Sequence, residues 1–344
     1  MTFRFRPQAR QPLLAILAIL PLLLTVVLLW LAPVWNFADL FRQLWPLWVM
    51  GALMLLALMA LLKRWTYLAV TAVLAGMIII PAGSELWRNQ TGVHSFALPD
   101  NPVILTVTTH NVWSENFDPD ETIDTLASLD ADVIGLQEAF GNSRSIESAM
   151  LETHPFRARC DRHSTRLVSR LEIMESGCLE WRDTDWPDSR VALWRWEVPR
   201  TVWARVRLDD SSDVVIVATH MTWPNPLSVQ NEQRRNLVDL MARREWESII
   251  LVGDFNAAAP SVALDRIERE VGLRRRTTAL PTWPSSRTVS RRIGIPLPEL
   301  PGLVGIDHVF ASEDWSTLAA ETGPMTGSDH RPVTVRLMRA GSAD

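Results

Sequence analysis

An α/β domain built on mixed β-sheets, preceded by three membrane-spanning helices, is the fold this 344-residue sequence predicts. Two patterns predict it. Between Gln11 and Ser84 the only charged residues are Asp39, Arg42, Lys63 and Arg64, and they cut one apolar run into three. Beyond Pro102, short runs rich in Val and Ile alternate with amphipathic stretches of helical spacing over roughly 240 residues. The charge divides in the same way. Residues 1–100 hold seven basic and three acidic residues, a balance of +4, and the rest hold 27 basic and 36 acidic, a balance of −9. A chain with 47% hydrophobic residues is not a disordered one. A strongly basic nucleic-acid binder is disfavoured, because no overall positive field exists to hold a phosphate backbone.

The apolar pieces are Leu13–Val34, Leu44–Leu62 and Thr66–Ala82, each near the ~20 residues a helix needs to cross a bilayer. A charge in hydrocarbon costs about 2.5–3.5 kcal/mol, so runs this clean are informative. Trp30, Trp35, Trp45, Trp65 and Trp87 lie near the ends of these runs, where an interfacial aromatic belt is expected. The first run is longer than a signal-peptide core and two more follow it, so it is expected to remain part of the chain. Arg4, Arg6 and Arg10 at the amino terminus, with Lys63 and Arg64 in the second loop, place those segments in the cytoplasm by the positive-inside rule. Three crossings then leave everything after Ala82 outside. The expected division is a membrane domain over 1–82, a polar linker over 83–102, an α/β domain over 103–339 and a tail over 340–344. The two cysteines, Cys160 and Cys178, can pair in an outer compartment and close a loop worth about 3 kcal/mol. Two separate buried thiols are the other reading.

Within the second domain Val103–Thr109, Asp132–Gln137, Val214–Thr219 and Ile249–Val252 read as buried strands, and Trp203–Leu208 and Val333–Leu337 as half-buried ones. Thr122–Leu129, Val229–Trp246 and Val262–Val271 have helical spacing. Polar residues fall where these strands or tight turns meet loops: Asn111, Glu138, His220, Asp254 with Asn256, Asp307, and Asp329 with His330. In α/β sheets that edge is where ligands bind. A lone Asp after a strand is usually a turn or cap residue, but six such coincidences in one domain are not explained by caps. Carboxylates and amides supply oxygen ligands that suit Mg²⁺ or Mn²⁺. Two cysteines exclude a cysteine-built zinc site, and neither a glycine-rich phosphate loop nor a Gly-x-Ser-x-Gly elbow occurs. Hard-metal carboxylates beside two histidines suit hydrolysis of phosphate esters.

The ordered series Thr-His-Asn-Val (109–112), Gly-Leu-Gln-Glu (135–138), Ala-Thr-His (218–220), Val-Gly-Asp-Phe-Asn (252–256), Gly-Ile-Asp-His-Val (305–309) and Gly-Ser-Asp-His-Arg-Pro-Val (327–333) resembles the endonuclease/exonuclease/phosphatase superfamily, which has DNase I-like members. With its apolar amino terminus the chain looks like membrane-anchored bacterial members. The resemblance implies a four-layer α/β sandwich with two mixed β-sheets. It also implies a multi-pass protein of the bacterial inner membrane with its catalytic domain in the periplasm. By the same resemblance Asn111, Glu138 and Asp329 are the metal residues for Mg²⁺ (or Mn²⁺). The catalytic residues it implies are His220, Asp254, Asn256, Asp307 and His330. Asp254 would activate or position the attacking water and Asn256 would orient it. His330, held in its tautomer by Asp307, would contact a phosphate oxygen, and His220 would contact the phosphate from the other side. The only tyrosine is Tyr67, in the apolar segment, and Trp113 stands where abasic-site endonucleases have an acidic residue. Both departures argue against a dedicated DNA-repair enzyme.

The expected substrate is a phosphate ester, either a phosphodiester such as nucleic acid or a lipid or inositol headgroup at the membrane, and no protein partner is inferred. Trp223 and Trp283, each followed by Pro, are candidates for stacking on bases, for resting at a bilayer or for packing under loops. Six arginines between Val271 and Leu300, against the single acidic Glu299, mark a local basic patch. An inactive binding module predicts loss of at least one central residue, and all eight are present.

Overall fold

The computed structural model describes residues 10–91, 102–161, 163–180, 198–224, 227–277 and 280–339. The chain forms two compact units, Met1–Trp87 with Pro260–Val262, and Arg88–Ala259 with Ala263–Asp344.

The first unit holds the helices α1 (Arg10–Leu31), α2 (Asn36–Gln43), α3 (Trp45–Leu61) and most of α4 (Trp65–Thr91). Of the three expected spans, Trp65–Gly83 is one helix long and apolar enough to cross a membrane. Ala15–Leu31 and Asn36–Gln43 pass the same test only as a pair bent by 119°. The second expected span is shortened at both ends. Leu44 and Leu62 are cap residues, and Lys63 turns the chain at φ 53°. The 17 residues that remain rise about 25 Å, less than the ~30 Å of a hydrocarbon core. Helix α4 continues to Thr91, through the first half of the expected linker. The stretch after Gly83 is polar but contains no proline, and Glu, Arg and Gln are good helix formers. The remainder of that linker and the carboxyl-terminal tail lie outside the described residues.

The second unit carries two six-stranded sheets. The first has the order β11-β12-β1-β2-β4-β3 and the second β5-β6-β7-β8-β10-β9. In chain order the strands are β1 (Ile104–Asn111), β2 (Val133–Gln137), β3 (Phe156–Arg159), β4 (Arg166–Ser169), β5 (Ile173–Leu179) and β6 (Arg200–Arg207). They continue as β7 (Asp213–His220), β8 (Ile249–Asp254), β9 (Arg274–Arg275), β10 (Asp307–Ala311), β11 (Trp315–Thr322) and β12 (Val333–Arg339). The β1–β2 and β7–β8 pairs are parallel and the others antiparallel, so both sheets are mixed.

The period-two pattern of the strands explains the layers. Val107 of β1, Val133 of β2, Val214 and Ile216 of β7 and Val252 of β8 point into one core between the sheets. Their neighbours point outward on each side. Ile134 and Leu136 of β2 pack under α5 (Pro119–Ser128) and α6 (Arg144–Met150) through Leu126, Ile146 and Met150. Val215, Val217 and Leu251 pack under α7 (Leu227–Ala242) and α8 (Val262–Val271) through Leu237, Leu240, Leu264 and Ile267. The result is helices, sheet, sheet, helices, as expected. Asp118 caps α5 by accepting the Glu121 N–H, and Pro119 opens it in the first turn. Cys160, just past β3, is bonded to Cys178 of β5, which joins an edge of one sheet to an edge of the other.

Candidate active site

Pairing register explains how distant residues reach one edge. In the parallel β7–β8 pair His220 stands opposite Asp254. Strand β10 runs antiparallel to β8 and begins with Asp307 opposite that same Asp254. In the other sheet β1 ends at Asn111 opposite Gln137, with Glu138 next in the chain. Strand β12 is antiparallel to β1, with Val333 opposite Thr109, so Asp329 and His330 enter at the edge where β1 leaves. The ends of the parallel strands and the beginnings of the antiparallel ones therefore meet at one mouth, with residues drawn from both sheets.

The backbone at this edge is held in unusual shapes. Glu138 has φ 54° and Asn256 φ 47°, a left-handed region that non-glycine residues occupy at a cost and that recurs at functional sites. Gly253 has φ 155°, and a Cβ there would lie 2.0 Å from the Thr219 carbonyl oxygen. Only glycine lets β8 close on β7 at the point that sets Asp254 beside His220.

Asp254 is the hub, and it is buried. Its Oδ2 accepts from Asn111 Nδ2 at 2.9 Å and from Asn256 Nδ2 at 3.3 Å, and its Oδ1 accepts from the Asn256 N–H at 2.8 Å. The Nε2 atoms of His220 and His330 approach the same Oδ2 to 3.7 and 3.8 Å. Glu138 lies alongside: Oε1 accepts from Asn111 Nδ2 at 3.2 Å and stands 3.9 Å from His220 Nε2, while Oε2 accepts from the Ser114 N–H at 3.1 Å. His330 Nδ1–H donates to Asp307 Oδ2 at 2.8 Å, and its Nε2 is 3.9 Å from Asp329 Oδ1. All eight residues expected from the sequence are therefore brought together. Asn111, expected among the metal residues, has its carbonyl oxygen engaged by the Trp113 N–H at 2.9 Å. Its amide nitrogen clamps Glu138 and Asp254 instead.

Three side chains at the site come from the fold rather than the motif reading. Trp283 Nε1–H donates to Asp329 Oδ2 at 3.2 Å, and its ring stands edge-on to exposed Trp223 at 5.4 Å. The sequence flagged both tryptophans, but nothing in it ties Trp283 to Asp329. Ser328 donates to the Asn111 carbonyl at 2.6 Å and accepts from the His330 N–H at 3.0 Å, which locks the β12 entry loop onto β1. His110, buried against Thr326, is driven down to about 3 by burial and stays neutral.

The electrostatics separate the two imidazoles. Desolvation at the site lowers the His220 pKa to about 4, only partly opposed by Glu138, so that ring is neutral. Burial also works against a charge on His330, but Asp307, Asp254 and Asp329 outweigh it and raise its pKa to about 10. Burial raises Asp254 to about 7, with repulsion from Asp307 adding and attraction to His330 opposing. Burial likewise raises Asp329. At Glu138 burial acts upward, but His220, the Ser114 N–H and Asn111 leave the carboxylate below its usual range.

The donor set fits a hard divalent cation. Asp254, Asp307 and His330 offer ligand atoms all within 4.8 Å of one another, but His330 is held protonated on Asp307, which leaves a cation to the carboxylates around it. Asp329 Oδ1 is buried and has no hydrogen-bond donor among the described residues. An orphaned carboxylate oxygen beside further carboxylates and no thiolate is the chemistry such a cation satisfies.

A family model described as the endonuclease/exonuclease/phosphatase family matches residues 108–330. Solved structures with the same fold include a family protein from Bacteroides thetaiotaomicron, at 18% identity and a TM-score of 0.53, covering 70% of this chain and 99% of that one. A second, from Bacteroides vulgatus, has 18% identity and a TM-score of 0.52 over 68% and 98% of the two chains. A mannosyl-6-phosphatase from Bacteroides thetaiotaomicron has 18% identity and a TM-score of 0.51 over 68% and 99%. Comparison with curated protein sequences gave no match. The motif order, the paired mixed sheets and the extent of the family match agree: this chain belongs to the endonuclease/exonuclease/phosphatase family.

Proposed function

We infer that this protein is a membrane-anchored, Mg²⁺- or Mn²⁺-dependent hydrolase that cleaves phosphodiester bonds by in-line attack of water. The carrying observation is the convergence of two amides and two imidazoles on Asp254 Oδ2 within 3.8 Å. Glu138 and Asp329 are the residues that would hold the cation, with Asn111 fixing the Glu138 carboxylate. A bound divalent cation supplies charge neutralisation at the phosphorus oxygens. The chain's own groups supply the rest. Asp254, with its pKa near neutrality, accepts a proton from water, and Asn256 fixes both of its oxygens. His330, kept protonated by Asp307, presents positive charge to a phosphorus oxygen. His220 offers a neutral imidazole as hydrogen-bond partner from the opposite side.

Attachment to a bilayer is supported by the apolar surface of the helices, where Leu61, Ile80 and Met54 are 79%, 74% and 73% exposed. An outer location of the catalytic unit is supported by the Cys160–Cys178 disulfide, since reducing compartments disfavour such bonds. Attachment also favours a second reading of the substrate, a lipid or inositol phosphate. The test is hydrolysis of an aryl phosphodiester by the detergent-solubilised full chain. Activity should need Mg²⁺ or Mn²⁺, vanish with chelator and vanish in Asp254→Ala and His330→Ala with the circular dichroism unchanged. Metal-independent turnover, or turnover that survives both substitutions, would sink the reading. Plasmid DNA, RNA, phospholipids and inositol phosphates offered side by side then separate the two substrate classes.

A further inference from the structure

The basic patch expected from the sequence contracts sharply in the fold. Arg274 pairs with Glu313 at 3.1 Å, and Arg287 pairs with Glu121 at 2.6 Å and with Glu299 at 3.4 Å. Arg291 and Arg292, at the end of α9 (Ser286–Ile293), stand in no close ion pair among the described residues, although the charge of Arg292 reaches Asp329. Their guanidinium groups lie over aromatic rings instead, Arg291 4.1 Å from the Phe117 centroid and Arg292 5.4 Å from that of Trp113. Trp113 is the residue whose N–H holds Asn111, so the Arg292 charge sits at the mouth of the site, within reach of Asp329.

The segment that follows is exposed without being loose. Gly294 ends α9 in the left-handed region, at φ 68°. Ser290 Oγ then donates to the Ile295 carbonyl at 2.8 Å and accepts from the Leu297 N–H at 3.2 Å. Ser286 Oγ accepts from the Leu300 N–H at 3.0 Å. A loop pinned at three points nevertheless turns Ile293, Ile295, Leu297 and Leu300 to solvent, at 53%, 58%, 37% and 49% exposure. Four large apolar side chains on one ordered loop form a surface that needs a cover. Two exposed guanidiniums at its border, neither held in a close ion pair, say which kind. Apolar residues flanked by arginines match the boundary between acyl chains and anionic headgroups. The same chain carries its apolar helices only a dozen residues before β1.

We propose that the 291–300 segment docks on an anionic bilayer surface, with Ile293, Ile295, Leu297 and Leu300 entering the headgroup boundary and Arg291 and Arg292 binding lipid phosphates. This rests on the bilayer attachment inferred above. It brings the mouth of the site against the lipid surface, where a phosphate ester of a headgroup is the nearest substrate.

The test uses the full chain in lipid nanodiscs. Both native cysteines are in the disulfide, so Ile295→Cys gives a single thiol for an environment-sensitive dye, and Ser211→Cys, in the exposed β6–β7 turn, gives the control. Spin-labelled lipid should quench the dye at 295 and leave it at 211 nearly untouched in discs of phosphatidylcholine with phosphatidylglycerol. Arg291→Glu with Arg292→Glu should lower the docked-to-free ratio at least about thirtyfold, the loss that follows from removing about 2 kcal/mol of attraction for two arginines before any repulsion of the new carboxylates. Equal quenching at 295 and 211 would overturn the proposal, as would quenching at 295 indifferent to both lipid charge and charge reversal. Concentration-dependent shielding at 295 in detergent, without lipid quenching in discs, would assign the face to a second copy and likewise overturn it. Co-elution with the discs reports on the apolar helices and quenching at 295 on the loop, so the two readings fail separately.

Discussion

Replacing Trp283 by Phe removes one N–H and little else. The aromatic ring that stands edge-on to Trp223 is retained, but Asp329 Oδ2 loses its 3.2 Å donor. The other oxygen of Asp329 already lacks one, so the carboxylate is left without a hydrogen bond to fix its plane. A hydrogen bond to an ionised group is worth about 1.5–3 kcal/mol, or about one to two powers of ten in an equilibrium constant. Loss of a group that orients a metal-ligating carboxylate typically weakens binding about 10- to 100-fold, the same range. The Kd for Mn²⁺, read from the free-ion electron paramagnetic resonance signal with the full chain in detergent, should therefore rise about 10- to 100-fold. The far-ultraviolet circular dichroism should not change. A Kd within about twofold of the parent, the scatter of such comparisons, would refute the placement of Asp329 on the cation.

Three further outcomes follow from the geometry. Cys160→Ser with Cys178→Ser opens a loop of sequence separation 18 and should cost about 3 kcal/mol, or about 6 °C in Tm for a unit of roughly 240 residues, by scanning calorimetry. An unchanged Tm would mean that other contacts hold those edges. His308 donates from Nε2 to the Ala257 carbonyl at 2.9 Å and shares a 3.0 Å bond at Nδ1 with Thr277, and burial lowers its pKa to about 3. The folded chain refuses a proton that the unfolded chain takes near pH 6.5, so this contribution is whole above that pH. It is lost by about 1.4 kcal/mol per unit as pH falls toward 3. The thermal midpoint should drop on acidification, and less steeply in His308→Gln; identical slopes would exclude His308 as a source. Asp254→Asn should lower kcat about 10²- to 10⁴-fold with the fold intact, because the proton acceptor is gone, and parent-like kcat would assign that role elsewhere.

Much of this arrangement was legible because buried strands announce themselves. β1, β2, β7 and β8 are nearly all buried, and their Val and Ile runs stop at the polar residues that form the site. The edge strands were not legible. β3 buries one residue of four, and β11 carries Ala319, Ala320 and Glu321 in its second half, residues with weak strand preference. Nor could composition stop α4 at Gly83, since nothing after it breaks a helix before Thr91. The motif order identified all eight polar residues, but not that Asn111 would present its nitrogen. That depends on the Trp113 N–H, a contact set by the turn after β1. The tie from Trp283 to Asp329 crosses 46 positions and exists only after β10 and β12 have paired with their neighbours.

The mouth of the candidate site is shared between two stacked plates. Asn111, Glu138, Asp329 and His330 ride on one, while His220, Asp254 and Asp307 ride on the other. Slippage of a few tenths of an ångström between them would misalign every proton path without breaking a single strand pairing. The filling sets that alignment: at Gly135 an added methyl would meet Val252 Cγ2 at 2.7 Å, wedging the plates apart. On the proposed function, turnover would depend on interior thickness as well as on the polar groups at the mouth, so a variant that stays folded, even gains heat resistance, would still fall silent.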